Sequence, residues 1–200
     1  MEPIRCFIAV ELPKEVRDEI AWLQAQLQSG NQPGVKWVDP YSIHLTLKFL
    51  GSVDGDRISP ITRAMGEAVQ GISPFHLKVE GLGVFPNLRR VQVAWVGLSG
   101  EVDKLAQLQQ GIESALASLG FTPESRRFTP HLTLARLRDR ASLEERQRLG
   151  QLIADTKFEP AYTFPVDAIS LMRSQLTREG AIYSQIDSVE LGKPLSTTTA

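Results

Sequence analysis

Two hundred residues with 42% apolar and 22% charged side chains match ordinary globular usage, so the chain can bury enough surface to offset its ordering entropy, and disorder is excluded as its main state. A membrane-spanning helix is excluded as well, because apolar runs such as Val93-Ala94-Trp95-Val96 fall far short of the roughly 20 residues a bilayer requires. The net charge of −1 supplies no overall field, so an anionic partner must be held by a local patch.

The predicted elements follow from periodicity. An apolar strand at 4–12 leads into a helix whose inward face is Val16, Ile20, Leu23 and Leu27. A strand carrying His44 and a helix at 57–70 come next, then strands at 75–85 and 91–98. Val102, Leu105, Leu108, Ile112, Leu116 and Leu119 mark a long helix that Gly120 closes as a C-terminal cap. A strand carrying His131 precedes a helix at 143–154, for which Ser142 and Glu145 form a capping box. Strands at 161–172 and 181–190 complete the pattern, and residues 192–200 read as a flexible tail. The lone Cys6 cannot form an internal disulfide, and Met1-Glu2-Pro3 lacks the basic, then apolar, start of a secretory signal; a cytoplasmic location follows as the expectation.

A repeat organises these elements. His44-Leu45-Thr46-Leu47 recurs unchanged as His131-Leu132-Thr133-Leu134, 87 residues later. Average residue usage puts the chance that two of three histidines share their next three residues on the order of one in a thousand. The flanks agree: Ile8-Ala9-Val10-Glu11-Leu12 parallels Ala94-Trp95-Val96-Gly97-Leu98 at an offset of 86, and Phe75-His76-Leu77 parallels Tyr162-Thr163-Phe164 at 87. The chain reads as one bilobal α+β unit of two copies, 4–88 and 90–190, with two antiparallel-sheet lobes and outer helices around a pseudo-twofold central groove. Phe85-Pro86-Asn87-Leu88-Arg89 is only a turn-like joint, so the lobes are expected to pack on each other.

In a strand, residues i and i+2 share a face, so His44 projects with Thr46, and His131 with Thr133. A twofold axis would bring two imidazoles and two hydroxyls to one groove. One neutral imidazole can take a proton from water while a protonated one supplies a proton to a departing alkoxide, and the threonine hydroxyls can donate to non-bridging phosphoryl oxygens. This constellation suits a phosphodiester and requires neither metal nor other cofactor. The spacing leaves open which histidine is acid and which is base.

Two His-x-Thr-x motifs in a bilobal chain of this length resemble the 2H phosphoesterases. The opening Arg5-Cys6-Phe7-Ile8-Ala9-Val10-Glu11-Leu12-Pro13 and the runs His44-Leu45-Thr46-Leu47-Lys48-Phe49-Leu50-Gly51 and Pro130-His131-Leu132-Thr133-Leu134-Ala135-Arg136 are similar to the RNA 2′,3′-cyclic phosphodiesterases, also called LigT-like 2′-5′ RNA ligases. That resemblance implies hydrolysis of a 2′,3′-cyclic phosphate RNA end to a 2′-phosphomonoester, with reversible, ATP-independent 2′-5′ joining as a side activity. It also implies that His44 is the proton donor to the 3′ oxygen, that His131 activates water, and that Arg136 lies near the bound nucleotide. Strict alternation turns Arg136 away from His131, so a bulge or strand end must intervene if the match holds.

The remaining polar residues divide as follows. Parity puts Lys48 on the catalytic face. Residues 124–140 carry five arginines (Arg126, Arg127, Arg136, Arg138, Arg140) against Glu124 and Asp139, a local +3 on which an RNA strand can lie. Trp37, Tyr41, Phe49 and Phe128 are candidates for base stacking or for the core. His76 falls on a polar strand face with Lys78 and Glu80 and reads as a solvated residue rather than a third metal ligand, and Cys6 reads as packing. The expected partner is RNA with a cyclic phosphate end or a related nucleotide, met by a monomer away from any membrane. Alternatives are 2′-5′ oligonucleotides or nucleotide-sugar cyclic phosphates as substrates, or an RNA-end-binding module without turnover.

Overall fold

The computed structural model describes residues 3–28, 32–159, 162–177 and 181–192. Nine strands and four helices appear there: β1 (Ile4–Glu11), α1 (Lys14–Leu27), β2 (Val35–Trp37), β3 (His44–Val53), α2 (Ile58–Ala68), β4 (Phe75–Phe85), β5 (Val93–Gly100), α3 (Val102–Ala117), β6 (His131–Leu137), α4 (Leu143–Asp155), β7 (Thr163–Val166), β8 (Ala168–Leu176) and β9 (Ala181–Glu190). They form an α+β fold with two antiparallel sheets, ordered β3-β1-β8-β9 and β2-β6-β5-β4-β7. Residues 193–200 of the expected tail lie outside the described residues.

Local signals act as read. The Ser142 side chain accepts from the Glu145 N–H at 3.2 Å and the Glu145 carboxylate accepts from the Ser142 N–H at 2.6 Å, so both orphan donors of the capping box are satisfied at the start of α4. Gly120 has φ +84°, and the Gly120 and Phe121 N–H groups donate to Ala117 and Leu116 carbonyls, the paired bonds of a Schellman closure. The sequence misses β2, a three-residue edge strand too short to show a period. It also runs β7 and β8 together as one strand. Phe164, Val166, Ile169 and Leu171 are all buried, so the apolar pattern continues while the chain passes from one sheet to the other at Asp167. Pro165 falls in β7, the edge strand, where a missing N–H is tolerated.

The sheets do not coincide with the sequence halves. β8 and β9 from the second half complete the sheet begun by β1 and β3, and β4 from the first half completes the sheet of β5 and β6. One contiguous core draws buried residues from both sheets and all four helices. Gln24, 2% exposed, ties α1 to the second sheet by donating to the carbonyls of Val38 at 2.8 Å and Leu134 at 3.0 Å. The far face of the first sheet carries a separate small cluster of Phe7, Ala9 and Met172 with Tyr183 against it.

Both motif strands bulge at the same place. Ala9 pairs with Thr46 but Ile8 pairs with Lys48, leaving Leu47 as an extra residue; Trp95 pairs with Thr133 but Ala94 with Ala135, leaving Leu134 extra. The bulge reverses side-chain parity beyond it. Leu47 and Lys48 are therefore both buried, as are Leu134 and Ala135, while Phe49 and Arg136 emerge exposed on the histidine side.

This overturns the parity reading of Lys48. The side chain turns inward, 6% exposed, and its ammonium donates to Glu113 of α3 at 2.5 Å and to the Thr122 carbonyl at 3.1 Å. Glu113 also accepts from Gln109 at 3.1 Å and from the Glu124 N–H at 3.2 Å, so β3, α3 and the following loop are cross-linked through one carboxylate. Lys48→Met strands that carboxylate and is expected to lower the unfolding free energy by about 3 kcal/mol, with Lys48→Met/Glu113→Met recovering most of the loss. Denaturant titration of the two variants checks this, and turnover per folded molecule should stay at the wild-type level.

Candidate active site

The two histidines are positioned by matching local devices. Asp39 accepts from the Tyr41 N–H at 3.0 Å and caps a short 3₁₀ turn at Pro40–Ser42, which delivers His44 to the first position of β3. Thr129 and Pro130 deliver His131 to the first position of β6. His44 Nδ1 lies 2.9 Å from the Ser42 carbonyl and His131 Nδ1 lies 2.7 Å from the Thr129 carbonyl. A carbonyl oxygen only accepts, so each Nδ1 carries its proton and donates it to the residue two positions earlier. Nε2 of each ring is left as the atom that takes up or gives a proton.

Aromatic rings fix both imidazoles from the side. His44 stacks on Phe7 with centroids 4.5 Å apart and meets Tyr183 edge-on at 4.9 Å. His131 meets Phe85 edge-on at 5.0 Å and Trp95 at 6.2 Å. Each imidazole thus has two aromatic neighbours, but the geometry differs, one ring stacked on His44 and none on His131, and the neighbours are non-equivalent residues. Phe7 and Glu11 lie on the His44 face by simple alternation along β1, a signal available in the sequence. Tyr183 arrives from β9 at the other end of the chain, which no local pattern announces.

Burial is the main influence on both rings and holds each below the ordinary histidine value. The carbonyl bonds oppose it by favouring the protonated ring. Glu11 also favours the His44 cation, while Arg136 and Arg17 disfavour it; Arg136 disfavours the His131 cation as well. One guanidinium thus lies within electrostatic reach of both imidazoles. β3 and β6 are in contact although they belong to different sheets, so the two motif-bearing strands meet along the line where the sheets approach.

Each sequence-derived candidate has a definite place. Thr46 and Thr133 are half-buried on the faces of His44 and His131. Arg136 reaches the His131 face through the bulge at Leu134, the irregularity that its match required. Phe49, 68% exposed and 6.2 Å from the Phe7 ring, occupies the equivalent position on β3. Trp37 and Phe128 pack against the core, whereas Tyr41 is exposed with its hydroxyl 3.4 Å from Asp18. His76 is exposed beside Glu101 at 3.9 Å. Among the described residues, no three or more histidine, cysteine or acidic side chains gather to hold a metal ion, and no helix is long and apolar enough to cross a membrane.

Comparison with known proteins agrees with this geometry. The family model described as LigT like Phosphoesterase matches twice in succession, over residues 10–95 and 96–183. A protein of Methanothermobacter thermautotrophicus named RNA 2′,3′-cyclic phosphodiesterase is 33% identical over 94% of this chain and 99% of its own, and one of the same name from Aquifex aeolicus is 30% identical over 96% and 100%. Among solved structures, E. coli LigT in apo form superposes with a TM-score of 0.75 at 26% identity, covering 96% of this chain and 100% of LigT. E. coli LigT complexed with 3′-AMP gives 0.72 at 27% over the same shares. With the duplicated motif, the paired sheets and both successive matches in agreement, the chain belongs to the LigT-like phosphoesterases, the two-histidine family that its sequence resembles.

Proposed function

We propose that this chain hydrolyses the 2′,3′-cyclic phosphate at an RNA end to a 2′-phosphomonoester by two-histidine general acid and base catalysis, as a cytoplasmic monomer of one duplicated unit. The observation that carries the reading is the matched pair of imidazoles, each with Nδ1 pinned to a backbone carbonyl and Nε2 left over, around a shared arginine. Relatives over nearly the whole chain are named for this reaction, and a structural neighbour holds a nucleotide monophosphate.

The chemistry follows from those atoms. Neutral His131 takes a proton at Nε2 from a water whose oxygen attacks phosphorus opposite the 3′ oxygen. The P–O3′ bond breaks as His44, protonated, gives its Nε2 proton to the leaving 3′ oxygen, and the phosphate remains on the 2′ oxygen. Thr46 and Thr133 hydroxyls and the Arg136 guanidinium stabilise the equatorial oxygens, whose charge grows in the five-coordinate transition state. Phe49 offers an apolar face to the terminal base. Replacing the attacking water by the 5′-hydroxyl of a second RNA gives, by the reverse transesterification, a 2′-5′ linkage without ATP.

His44→Ala and His131→Ala should each lower kcat by about 10²- to 10⁴-fold on an RNA ending in a cyclic phosphate, with wild-type turnover persisting in chelator; full activity in either variant refutes the paired mechanism. Single-turnover assays with identification of the 2′ or 3′ monoester make the measurement and separate an enzyme from a binder that forms no product. Arg136→Ala should cut kcat/KM by about 10- to 100-fold, the worth of charge-assisted bonds to phosphoryl oxygens, and Arg136→Lys should recover part of it.

The pH dependence has a definite sign. Activity requires His131 neutral and His44 protonated, so it rises as pH climbs through the His131 value and falls as pH climbs through that of His44. Both rings are held down by burial, so both limbs of the kcat/KM profile should lie below positions set by an unperturbed histidine near 6.5. A profile of kcat/KM against pH tests this directly, and limbs at or above the ordinary value count against the burial argument.

A further inference from the structure

We propose that Glu11 divides the labour between the two matched histidines, favouring His44 as the protonated donor and leaving His131 as the base. The proposal rests on the two-histidine reading above and deepens it, because neither the repeat nor the paired carbonyl bonds distinguish the rings.

The asymmetry is visible in the strands that flank the motifs. Glu11 on β1 stands opposite His44, and Gly97 on β5 stands opposite His131; one step back, Ala9 faces Thr46 and Trp95 faces Thr133. The two registers are equivalent, so Glu11 and Gly97 occupy the same position in the two halves. Directly opposed residues of an antiparallel pair bring their Cβ atoms within about 4.5–5.5 Å, which places a carboxylate at the position opposite one catalytic ring and no side chain at the position opposite the other.

Packing on both sides maintains this difference. Glu11 Oε1 accepts a hydrogen bond from the Ser170 hydroxyl at 2.7 Å, and Ser170 is 5% exposed on β8. A Cβ added at Gly97 would meet the Glu80 carbonyl oxygen at 2.7 Å, so β4 denies the second half any side chain at this position. The buried serine anchors the carboxylate, and the crowded glycine excludes its counterpart.

The other charged and titratable groups around His44 are Arg17 from α1, Arg136 from β6 and Tyr183 from β9. The two arginines oppose its protonation, and Glu11 is the carboxylate that favours it. Arg136 opposes protonation of both rings, and Arg17 opposes it at His44, so neither arginine favours His44 as the donor. The direction set by Glu11 agrees with the donor role that family resemblance gives His44.

Glu11→Gln removes the charge but keeps the size and an acceptor for Ser170. Ring-labelled protein titrated by NMR should show the His44 midpoint falling by about half a unit to one unit, the lower end of a charge-neighbour effect because Glu11 is itself exposed, with His131 unmoved. Because His44 works protonated, the alkaline limb of the kcat/KM profile, which reports the free enzyme, should move to lower pH by the same amount. Above that limb kcat/KM falls about 3- to 10-fold, and on the acid side it changes little. Glu11→Asp should restore the limb, and Ser170→Ala, which frees the carboxylate without removing it, should give a smaller shift in the same direction should Glu11→Gln fold poorly. An unmoved His44 titration, a loss independent of pH, or a shift of the acidic limb instead overturns the proposal. The titrations need no substrate, so absent turnover on cyclic-phosphate RNA defeats the functional reading alone, while normal turnover with an unmoved His44 defeats this one alone.

Discussion

The extra residue that follows the threonine in each motif strand governs how this molecule combines core and site. A strand that alternated without interruption would bury Leu45 and Leu47 and then turn Lys48 outward, with Phe49 facing the core. The extra Leu47 and its counterpart Leu134 let two consecutive residues point inward, so the apolar layer stays continuous while the next side chain is returned to the histidine face. That shift supplies the site with Arg136 and Phe49, and it supplies the interior with the Lys48 to Glu113 link. Packing and chemistry are thus set by one register change applied twice.

Duplication gives the site its symmetry, and side-chain differences on neighbouring strands remove it. The backbone repeats faithfully: carbonyl, histidine, threonine and bulge recur in order. The residues that touch each ring do not, since Phe7 and Tyr183 surround His44 where Phe85 and Trp95 surround His131. A phosphodiester hydrolysis needs this combination, because its entering and departing oxygens occupy opposite apical positions but require opposite proton transfers. Matched scaffolds give the two imidazoles the same backbone anchor, and unmatched neighbours give them different surroundings.

Much of this was legible in the linear sequence. Helical spacing placed the inward faces of α1 and α3, Ser142 and Glu145 placed the start of α4, and the repeated tetrapeptide marked the two strands that open on His44 and His131. Arg136 could be assigned only with the condition that a bulge intervene. Lys48 was misread because the same bulge in the first half was not applied to it: period-two parity holds only while the ladder is regular. Exchange of β4 and β8 between the halves was invisible, since nothing in a strand's own residues names a partner as remote as Cys6 is from Arg173. The break at Asp167 was hidden for a related reason, as both strands it separates are buried and the apolar signal runs through it.

The exchange of strands bears on how the chain can be made. The sheet that carries His44 begins with β1 at Ile4 and is not completed until β8 and β9 join it at the far end of the sequence. The edge of β1 that receives β8 therefore stays open until Ser170–Arg173 have been made, and loop closure over this distance is slow compared with local hairpins. An unpaired strand edge is a template for pairing with another chain, and β4 waits in the same way for β7, so each sheet keeps one early strand open until the chain's later residues arrive.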